Sequence, residues 1–425
     1  MAWREDDVIV PSRSSLTRWI LAIALLSGSL SALVLFMQRT ARAQEHTGLT
    51  GTIQYDGARA ADRGQGRIAW TAAQFDTVAA HDLFLTQAYW IWDRRLGSEW
   101  NAVPDSLRRR NPDIRILAYA KPWMIPIGYK GVTFDCLFSR MWTAMAGFLY
   151  VKADGDTLKD NAGGYYLRVL APGFADSVAA VYARALASDS SPAGKVKAGI
   201  FLDVLESDGL AQWAMHSPSD TLDWDGNGVP LWSDEGEREA VNRVIVQVAD
   251  AFTRLMPADF LVTANSWTVA KHPEVREHFD GVMMEDVPNY ADGLAPRCDD
   301  CFSALFGLAP ETPTSLPDMW TIRDGLRQNR WPVVMLLNAA LGGSSTAREL
   351  ALAGGDGFLA FAVKGYGRGG LALGALPPAT ADLGACRGHS WSGRELTTRY
   401  DRATVRLDVA DPGVWPRPFA FAIEQ

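Results

Sequence analysis

Eight short apolar runs recur between residues 80 and 365, and most of them are separated by segments with helical spacing. Runs this apolar, without strict alternation, are typical of parallel strands that are buried on both faces. Eight such strand and helix units are the number found in a closed barrel. The sequence therefore predicts the α/β class and a (β/α)8 TIM barrel. The runs are DLFLTQ (82–87), IRILAYA (114–120), YYLRVLAP (165–172), AGIFLDV (198–204), DFLVTAN (259–265), DGVMMED (280–286), PVVMLLN (332–338) and DGFLAFAV (356–363).

The segments between the runs support the barrel over its main alternative, a doubly wound open sheet. The longest of them, Glu237–Leu255, places its apolar residues on one stripe at i, i+3, i+4 and i+7 spacing, as a helix covering a sheet does. An open nucleotide-binding sheet carries G-x-G-x-x-G directly after its first strand, and the first of the eight runs is not followed by that pattern. The alternation in ATVRLDV (403–409) predicts a small C-terminal β appendage.

The N-terminus resembles an export signal. Arg13 and Arg18 precede an apolar stretch, Trp19–Met37, and Ala41–Ala43 fits the small-x-small cleavage pattern. The stretch is long enough that retention as an anchor stays an alternative to cleavage. We predict export to the periplasm, the extracellular space or the outward face of a membrane, with the membrane as a partner only if the segment is uncleaved. The predicted divisions are 1–43 signal peptide or anchor, 44–79 lead-in, 80–370 barrel and 371–425 β-rich appendage.

The four cysteines are interpreted in the light of export. They are Cys136, Cys298, Cys301 and Cys386, an even number that suits disulfides in an oxidising compartment. The lone C-x-x-C at 298–301 lacks the second pair that a zinc site requires. Disulfides are the prediction, with free thiols and a metal as alternatives. The net charge of −8 argues against a nucleic-acid partner, which would select a basic surface.

Two carboxylates stand at the ends of predicted strands, where the active sites of barrels lie. Asp203 lies near the end of the fourth run and Glu285 near the end of the sixth. Glycoside cleavage needs one ionised carboxylate and one that donates a proton, and burial or a neighbouring charge can separate their pKa values. The alternatives are that Asp203 caps the following loop and that Glu285 forms a salt bridge at the rim.

Other polar and aromatic residues at the ends of the second, fourth, fifth, sixth and seventh runs predict a site for sugar hydroxyls and sugar faces. Glu206 and Asp208 lie in the loop beyond Asp203, and bracing of that loop is their alternative role. The predicted substrate-binding residues are Tyr119, Lys121, Trp123, Glu206, Asn265, Trp267, Asp286 and Asn338.

Three of these segments, GIFLDV, VTAN and GVMMED, resemble uncharacterised exported TIM-barrel glycoside hydrolases. Those proteins are similar to the endo-α-1,4-polygalactosaminidase family and, more distantly, to the α-galactosidase superfamily. The resemblance covers most of residues 80–365. It implies a barrel in which Asp203 is the nucleophile and Glu285 the acid/base, and it does not specify the substrate.

We therefore predict a retaining glycoside hydrolase that cleaves an α-linked extracellular or cell-envelope polysaccharide. The alternative is a non-catalytic, polysaccharide-binding barrel in an envelope or exopolysaccharide assembly. No His pair suited to zinc and no G-x-S-x-G elbow is found in the sequence, so metal-dependent deacetylation and serine esterase chemistry are not favoured.

A segment after the fourth run, DWDGNGVPLWSD (223–234), has the D-x-[DN]-x-[DN]-G spacing of a calcium loop. Its predicted ligands are Asp223, Asp225, Asn227 and Asp234. Pro230 and an Asp in place of Glu at the twelfth position weaken the match, and a Gly/Asn-rich turn is the alternative. No cofactor is required for the predicted chemistry, and calcium would have a structural role.

Overall fold

The part of the chain described by this computed structural model covers most of the predicted barrel and the C-terminal sheet. Within it, no helix is both long and apolar enough to cross a membrane. The predicted signal segment, Cys136, Cys298 and Cys301 lie outside the described residues, so export and disulfide pairing stay predictions. The described residues are 49–53, 71–86, 97–126, 130, 137–152, 155–159, 164–187, 198–203, 205–207, 222–285, 316–327, 333–338, 349, 352–355, 358–362, 383–384, 386–392, 395–408 and 420–424.

Eight parallel strands close into a barrel in the order β1-β10-β9-β8-β7-β6-β3-β2. Closure comes from β1, which pairs in parallel with both β10 and β2. The predicted α/β barrel is confirmed. The barrel strands are β1 (Leu49–Ile53), β2 (Leu83–Thr86), β3 (Arg115–Ala120), β6 (Gly199–Leu202), β7 (Leu261–Asn265), β8 (Gly281–Glu285), β9 (Val333–Asn338) and β10 (Phe358–Ala362).

Two of the sequence predictions for the barrel were wrong. The first barrel strand is β1, within residues 44–79, which we expected to be a lead-in; its sequence, LTGTI, contains a glycine and two threonines and so shows no apolar run. The run at 165–172 is not a barrel strand. Part of it forms β5 (Gly164–Tyr166), which pairs antiparallel with β4 (Met124–Pro126) in a two-stranded sheet. One barrel strand before β6 was missed and one run before it was wrongly counted, so β6 is the fourth barrel strand, as predicted.

Helices connect the strands as predicted, and their apolar stripes face the core. Along the longest helix, Val241, Ile245, Val248 and Phe252 are fully buried, while Leu255 at the end of the predicted segment is exposed. That helix begins after Asp234, whose side chain accepts the Glu237 N–H at 2.9 Å as an N-cap. The helices whose bounds lie among the described residues are α1 (Ala72–Ala79), α2 (Gly97–Arg110), α3 (Leu137–Met145), α4 (Phe174–Leu186), α5 (Glu235–Leu255), α6 (Trp267–Lys271), α7 (Pro273–Arg276) and α8 (Leu316–Gly325).

Gly199 begins β6 because a side chain would not fit there. A Cβ at this position would lie 2.4 Å from the Leu261 carbonyl oxygen, 2.6 Å from the Leu261 Cβ and 2.8 Å from a methyl group of Leu117. Two of these atoms belong to the neighbouring strand β7 at its closest approach, so they move only if the sheet moves.

We expect Gly199→Ala to destabilise the barrel by about 2–3 kcal/mol, because overpacking forces a backbone shift. The midpoint of urea unfolding, followed by tryptophan fluorescence, measures the effect. Gly147→Ala is the matched control, since a Cβ at Gly147 meets nothing within 4 Å. Equal midpoints for the two variants would contradict the prediction.

A buried ion pair lies at the amino-terminal end of β8. Asp280 is fully buried, and its two carboxylate oxygens accept from the Nε and Nη2 of Arg327, the Nε at 2.8 Å. The backbone N–H of Val262 also donates to Asp280, at 2.8 Å. Arg327 donates in addition to the Thr253 hydroxyl, so the pair connects β7, β8 and α5.

The C-terminal segment forms a four-stranded antiparallel sheet, which confirms the predicted β appendage. Val405 and Leu407 alternate inward along β13 and are fully buried. Tyr400 donates its hydroxyl to the Leu352 carbonyl at 2.5 Å, and Thr398 donates to the Ala353 carbonyl. These contacts attach the sheet to the segment just before β10. Its strands are β11 (Cys386–Ser392), β12 (Glu395–Tyr400), β13 (Thr404–Asp408) and β14 (Ala420–Glu424).

Candidate active site

Asp203 is the first residue after β6, at the carboxyl-terminal end of the barrel. Its backbone N–H donates to the Ala120 carbonyl at 2.8 Å, which continues the ladder between β6 and β3 by one residue. Its side chain lies in a largely buried position, with 8% of the residue exposed. The sequence places it there because the apolar run Ile200–Leu202 fills the strand and the acid follows directly.

Three side chains from the neighbouring strands surround the Asp203 carboxylate. Tyr119 in β3 donates its hydroxyl to Oδ2, and Asn265 in β7 donates its Nδ2 to Oδ1 at 2.9 Å. The Lys121 Nζ lies 3.7 Å from Oδ2. These donors compensate a charge that is costly to bury alone, and they fix the orientation of the carboxylate. Among the described residues, Asp203 accepts hydrogen bonds from Tyr119 and Asn265. Residues 204 and 208–221 of the following loop lie outside them, so the loop-cap alternative stays open.

Glu285 is the last residue of β8, two strands from β6 in the barrel. The registers pair Leu202 with Ala264 and Asn265 with Met283. Glu285 therefore stands two residues nearer the carboxyl-terminal rim than the level of Asn265. Strands that are two apart in a sheet are separated by about 10 Å. The structure thus brings the two predicted acids to the same end of the barrel; the Glu285 side chain lies outside the described residues.

Glu206 is buried and braces the loop after β6. Its Oε2 accepts from the backbone N–H and the hydroxyl of Thr268 in α6, at 3.0 and 2.9 Å. The Ser207 N–H donates to the same Thr268 hydroxyl at 2.9 Å. These contacts support the loop-bracing role over a contact with sugar.

Trp123 corrects the predicted substrate-binding set. Only 2% of Trp123 is exposed, and its ring packs 5.6 Å from Phe174 and 6.3 Å from Trp224, centroid to centroid. A ring buried on this scale presents no face to a sugar. Trp267 begins α6 and Asn338 ends β9, but their side chains, like the whole of Asp286, lie outside the described residues.

Beside the predicted calcium loop lies one acid that sequence reasoning missed, Glu237 in the first turn of α5. Single carboxylate oxygens of Asp223, Asp225 and Glu237 lie within 4.8 Å of one another. Of the other predicted ligands, Asn227 donates its Nδ2 to Asp234 at 2.5 Å and to Asp225 at 3.0 Å. Glu237 lies beyond the twelve-residue template; the signal that could have indicated it is the D-x-x-E pattern from Asp234, which marks a helix start.

Burial raises the pKa of Glu237 to about 7, and the nearby carboxylates of Asp225 and Asp223 act in the same direction. Two hydrogen bonds oppose this shift, because the Glu237 Oε1 accepts the backbone N–H groups of Trp224 and, at 3.1 Å, Asp225. Glu237 therefore joins the loop to α5 in a position where its ionised form is poorly solvated.

No family model and no curated protein matches the chain. Among solved structures, it is similar to the glycoside hydrolase domain of PelA from Pseudomonas aeruginosa, with 13% identity over 74% of this chain and 94% of that one, at a TM-score of 0.41. It is similar to the cyclic α-maltosyl-(1→6)-maltose hydrolase from Arthrobacter globiformis, with 13% identity over 81% and 87%, at 0.42. It is also similar to the GH36 α-galactosidase AgaA from Geobacillus stearothermophilus, with 9% identity over 87% and 48%, at 0.40. At TM-scores below 0.5 these likenesses carry no weight for function, and membership of the polygalactosaminidase family stays a prediction.

Proposed function

We propose that this protein is a retaining glycoside hydrolase in which Asp203 is the nucleophile and Glu285 the acid/base. The observation that carries the proposal is the Asp203 carboxylate, buried at the carboxyl-terminal end of the barrel and oriented by Tyr119 and Asn265. An attacking carboxylate must be held in one orientation towards the anomeric carbon, and two donors on opposite oxygens do this. Glu285 supports the pairing through its backbone position at the same end, two strands away.

The reaction has two steps. An Asp203 oxygen forms a bond to the anomeric carbon while the glycosidic C–O bond breaks, and Glu285 gives its proton to the leaving oxygen. Glu285, now ionised, takes a proton from water, whose oxygen attacks the same carbon and releases Asp203. Tyr119, Asn265 and Lys121 interact more strongly with the free carboxylate than with the ester, so they favour its release in the second step.

The proposed substrate is an α-linked polysaccharide of the extracellular space or the cell envelope. The N-terminal stretch Trp19–Met37 and the Ala41–Ala43 pattern support export, and the resemblance stated above supports the linkage. No cofactor takes part in the chemistry. A screen of the full-length chain against defined polysaccharides, with reducing ends measured, identifies the substrate.

Glu285→Gln is expected to lower turnover on that substrate by about 10²-fold or more, the usual contribution of a positioned general acid. Turnover on a substrate with an activated leaving group should fall less, because such a group departs without a proton. The anomeric form of the first product, followed by NMR, should match that of the substrate bond. Full activity of Glu285→Gln, or a product of inverted configuration, contradicts the assignment.

One contact favours a second candidate, a non-catalytic barrel that binds polysaccharide. The Lys121 Nζ lies 3.7 Å from Asp203, and a carboxylate neutralised by a lysine can serve as a rigid hydrogen-bonding group for sugar hydroxyls. Binding of a polysaccharide without any release of reducing ends, by wild type and Asp203→Asn alike, would establish this candidate in place of the enzyme.

A further inference from the structure

Two carboxylates in the connection between β6 and α5, Asp223 and Asp225, converge with a third, Glu237, in the first turn of α5. One oxygen each from Asp223, Asp225 and Glu237 lies within 4.8 Å of the others. Two oxygens bound to one Ca²⁺ at 2.3–2.6 Å are at most about 5 Å apart. The spacing of the three groups is therefore that of oxygens sharing one ion.

Glu237 is the part of this cluster that internal hydrogen bonding does not explain. It is 2% exposed, and its Oε2 has no hydrogen-bond partner among the described residues, while Oε1 accepts from Trp224 and Asp225. A buried, unpartnered carboxylate oxygen is costly unless another group satisfies it. Most buried polar atoms in proteins have a partner, so this oxygen indicates a ligand.

The negative charge of the three carboxylates also indicates a bound cation. Within the described part of the chain, no lysine or arginine forms an ion pair with Asp223, Asp225 or Glu237. The backbone donors around Asp223 are the N–H groups of Gly226, Asn227 and Gly228. They occupy three of about four lone-pair positions on that carboxylate and leave room for one more bond.

We propose that Asp223, Asp225 and Glu237 bind a divalent cation, and that the cation is Ca²⁺. The ligand atoms are all oxygens, which hard cations prefer, and the described cluster contains neither His nor Cys for zinc. This assignment replaces Asn227 and Asp234 of the sequence-based ligand set with Glu237. Asp234 is occupied as the N-cap of α5, and the Asn227 Oδ1 accepts the Val229 N–H at 2.7 Å. The proposal is independent of the chemistry at Asp203.

Such an ion would fasten the loop after β6 to the start of α5. Trp224, between two of the ligands, is buried and packs against Trp123 at 6.3 Å. The Asp223 carbonyl also accepts the Tyr150 hydroxyl at 2.7 Å, from the irregular segment between β4 and β5. The site would therefore hold together the loops on one side of the barrel.

Terbium luminescence in the purified full-length chain tests the proposal, because Trp224 lies beside the ligands and can transfer excitation energy to Tb³⁺. We expect sensitised emission that Ca²⁺ displaces, with a Ca²⁺ dissociation constant of about 10⁻⁴–10⁻³ M, as in extracellular modules. Ca²⁺ should also raise the unfolding temperature above that measured in chelator. Glu237→Gln and Asp223→Asn should each weaken Ca²⁺ binding by about tenfold or more.

Glu235→Gln is the matched control, since Glu235 is an exposed acid in the same helical turn. Glu235→Gln should leave unchanged both the terbium emission that Ca²⁺ displaces and the rise in unfolding temperature that Ca²⁺ causes. Glu237→Gln should also unfold at a higher temperature than wild type in chelator, because its amide removes the unpartnered charge. If another ligand variant does not fold, Asp225→Asn replaces it, because Asp225 is exposed, and it should likewise weaken Ca²⁺ binding. A wild type whose unfolding temperature is insensitive to Ca²⁺, or ligand variants that bind like the control, overturns the proposal.

Discussion

Asp203→Asn is expected to lower turnover by about 10⁴-fold or more while the protein stays folded. The substitution keeps the size of the side chain but removes the charge that attacks the anomeric carbon. Asn can still accept from one of its two hydrogen-bonding neighbours, Tyr119 or Asn265. Release of reducing ends from the substrate identified by the screen measures the loss, and near-UV circular dichroism checks the fold.

A second variant separates loss of the nucleophile from damage to the site. Asp203→Gly leaves a cavity next to the Tyr119, Asn265 and Lys121 donors, where a small anion such as azide can take the place of the carboxylate. Azide should restore part of the turnover and yield a glycosyl azide. Asp176→Asn, at an exposed position on α4, is the control and should stay fully active. An active Asp203→Asn variant would show that the attacking group lies elsewhere.

Arg327→Met is expected to destabilise the protein by about 3–5 kcal/mol, because it leaves the Asp280 carboxylate buried without its partner. Asp280 is 0% exposed at its side chain and Arg327 is 19% exposed. Among the described residues, the remaining donor to Asp280 is the Val262 N–H, which does not offset a full charge. The midpoint of urea unfolding, followed by tryptophan fluorescence, measures the change.

An exposed pair provides the comparison for this prediction. Arg254 and Asp176 are 2.6 Å apart, but their side chains are 62% and 74% exposed. Water solvates both charges there, so Arg254→Met should change the midpoint little. Adding Asp280→Asn to Arg327→Met should recover part of the lost stability. Equal losses for Arg327→Met and Arg254→Met would mean that burial of the pair has no energetic consequence.

Much of the barrel could be predicted because its strands are apolar on both faces. Seven of the predicted runs overlap barrel strands, from β2 to β10. β1 was missed since LTGTI is short and polar, and its pairing with β10 depends on residues some 310 positions away in the chain, which no local pattern reports. The run at 165–172 was misassigned because Leu167 and Val169 are buried outside the barrel sheet. Burial inside and outside the sheet selects the same apolar residues, so the sequence does not distinguish the two.

Part of the candidate site could also be predicted from local patterns, and part could not. Asp203 and Glu285 could be located because an acid that directly follows a buried strand lies at a known end of the barrel. Trp123 could not be assigned, since the sequence shows an aromatic residue near a strand end but not the Phe174 and Trp224 rings that enclose it. Glu237 was missed because the helix start folds back onto the loop, and only the three-dimensional structure brings it beside Asp223.

β8 carries an acid at each end, and the two ends have separate roles. Asp280, directly before the strand, belongs to the buried ion pair, while Glu285 ends the strand at the opposite rim. Five residue steps along the strand separate them by about 16 Å, beyond the distance at which substitutions usually couple. Substitutions that change activity at the Glu285 rim can therefore accumulate without weakening the Asp280 end. Barrels of this kind could therefore change their substrate during evolution without a change in their free energy of unfolding.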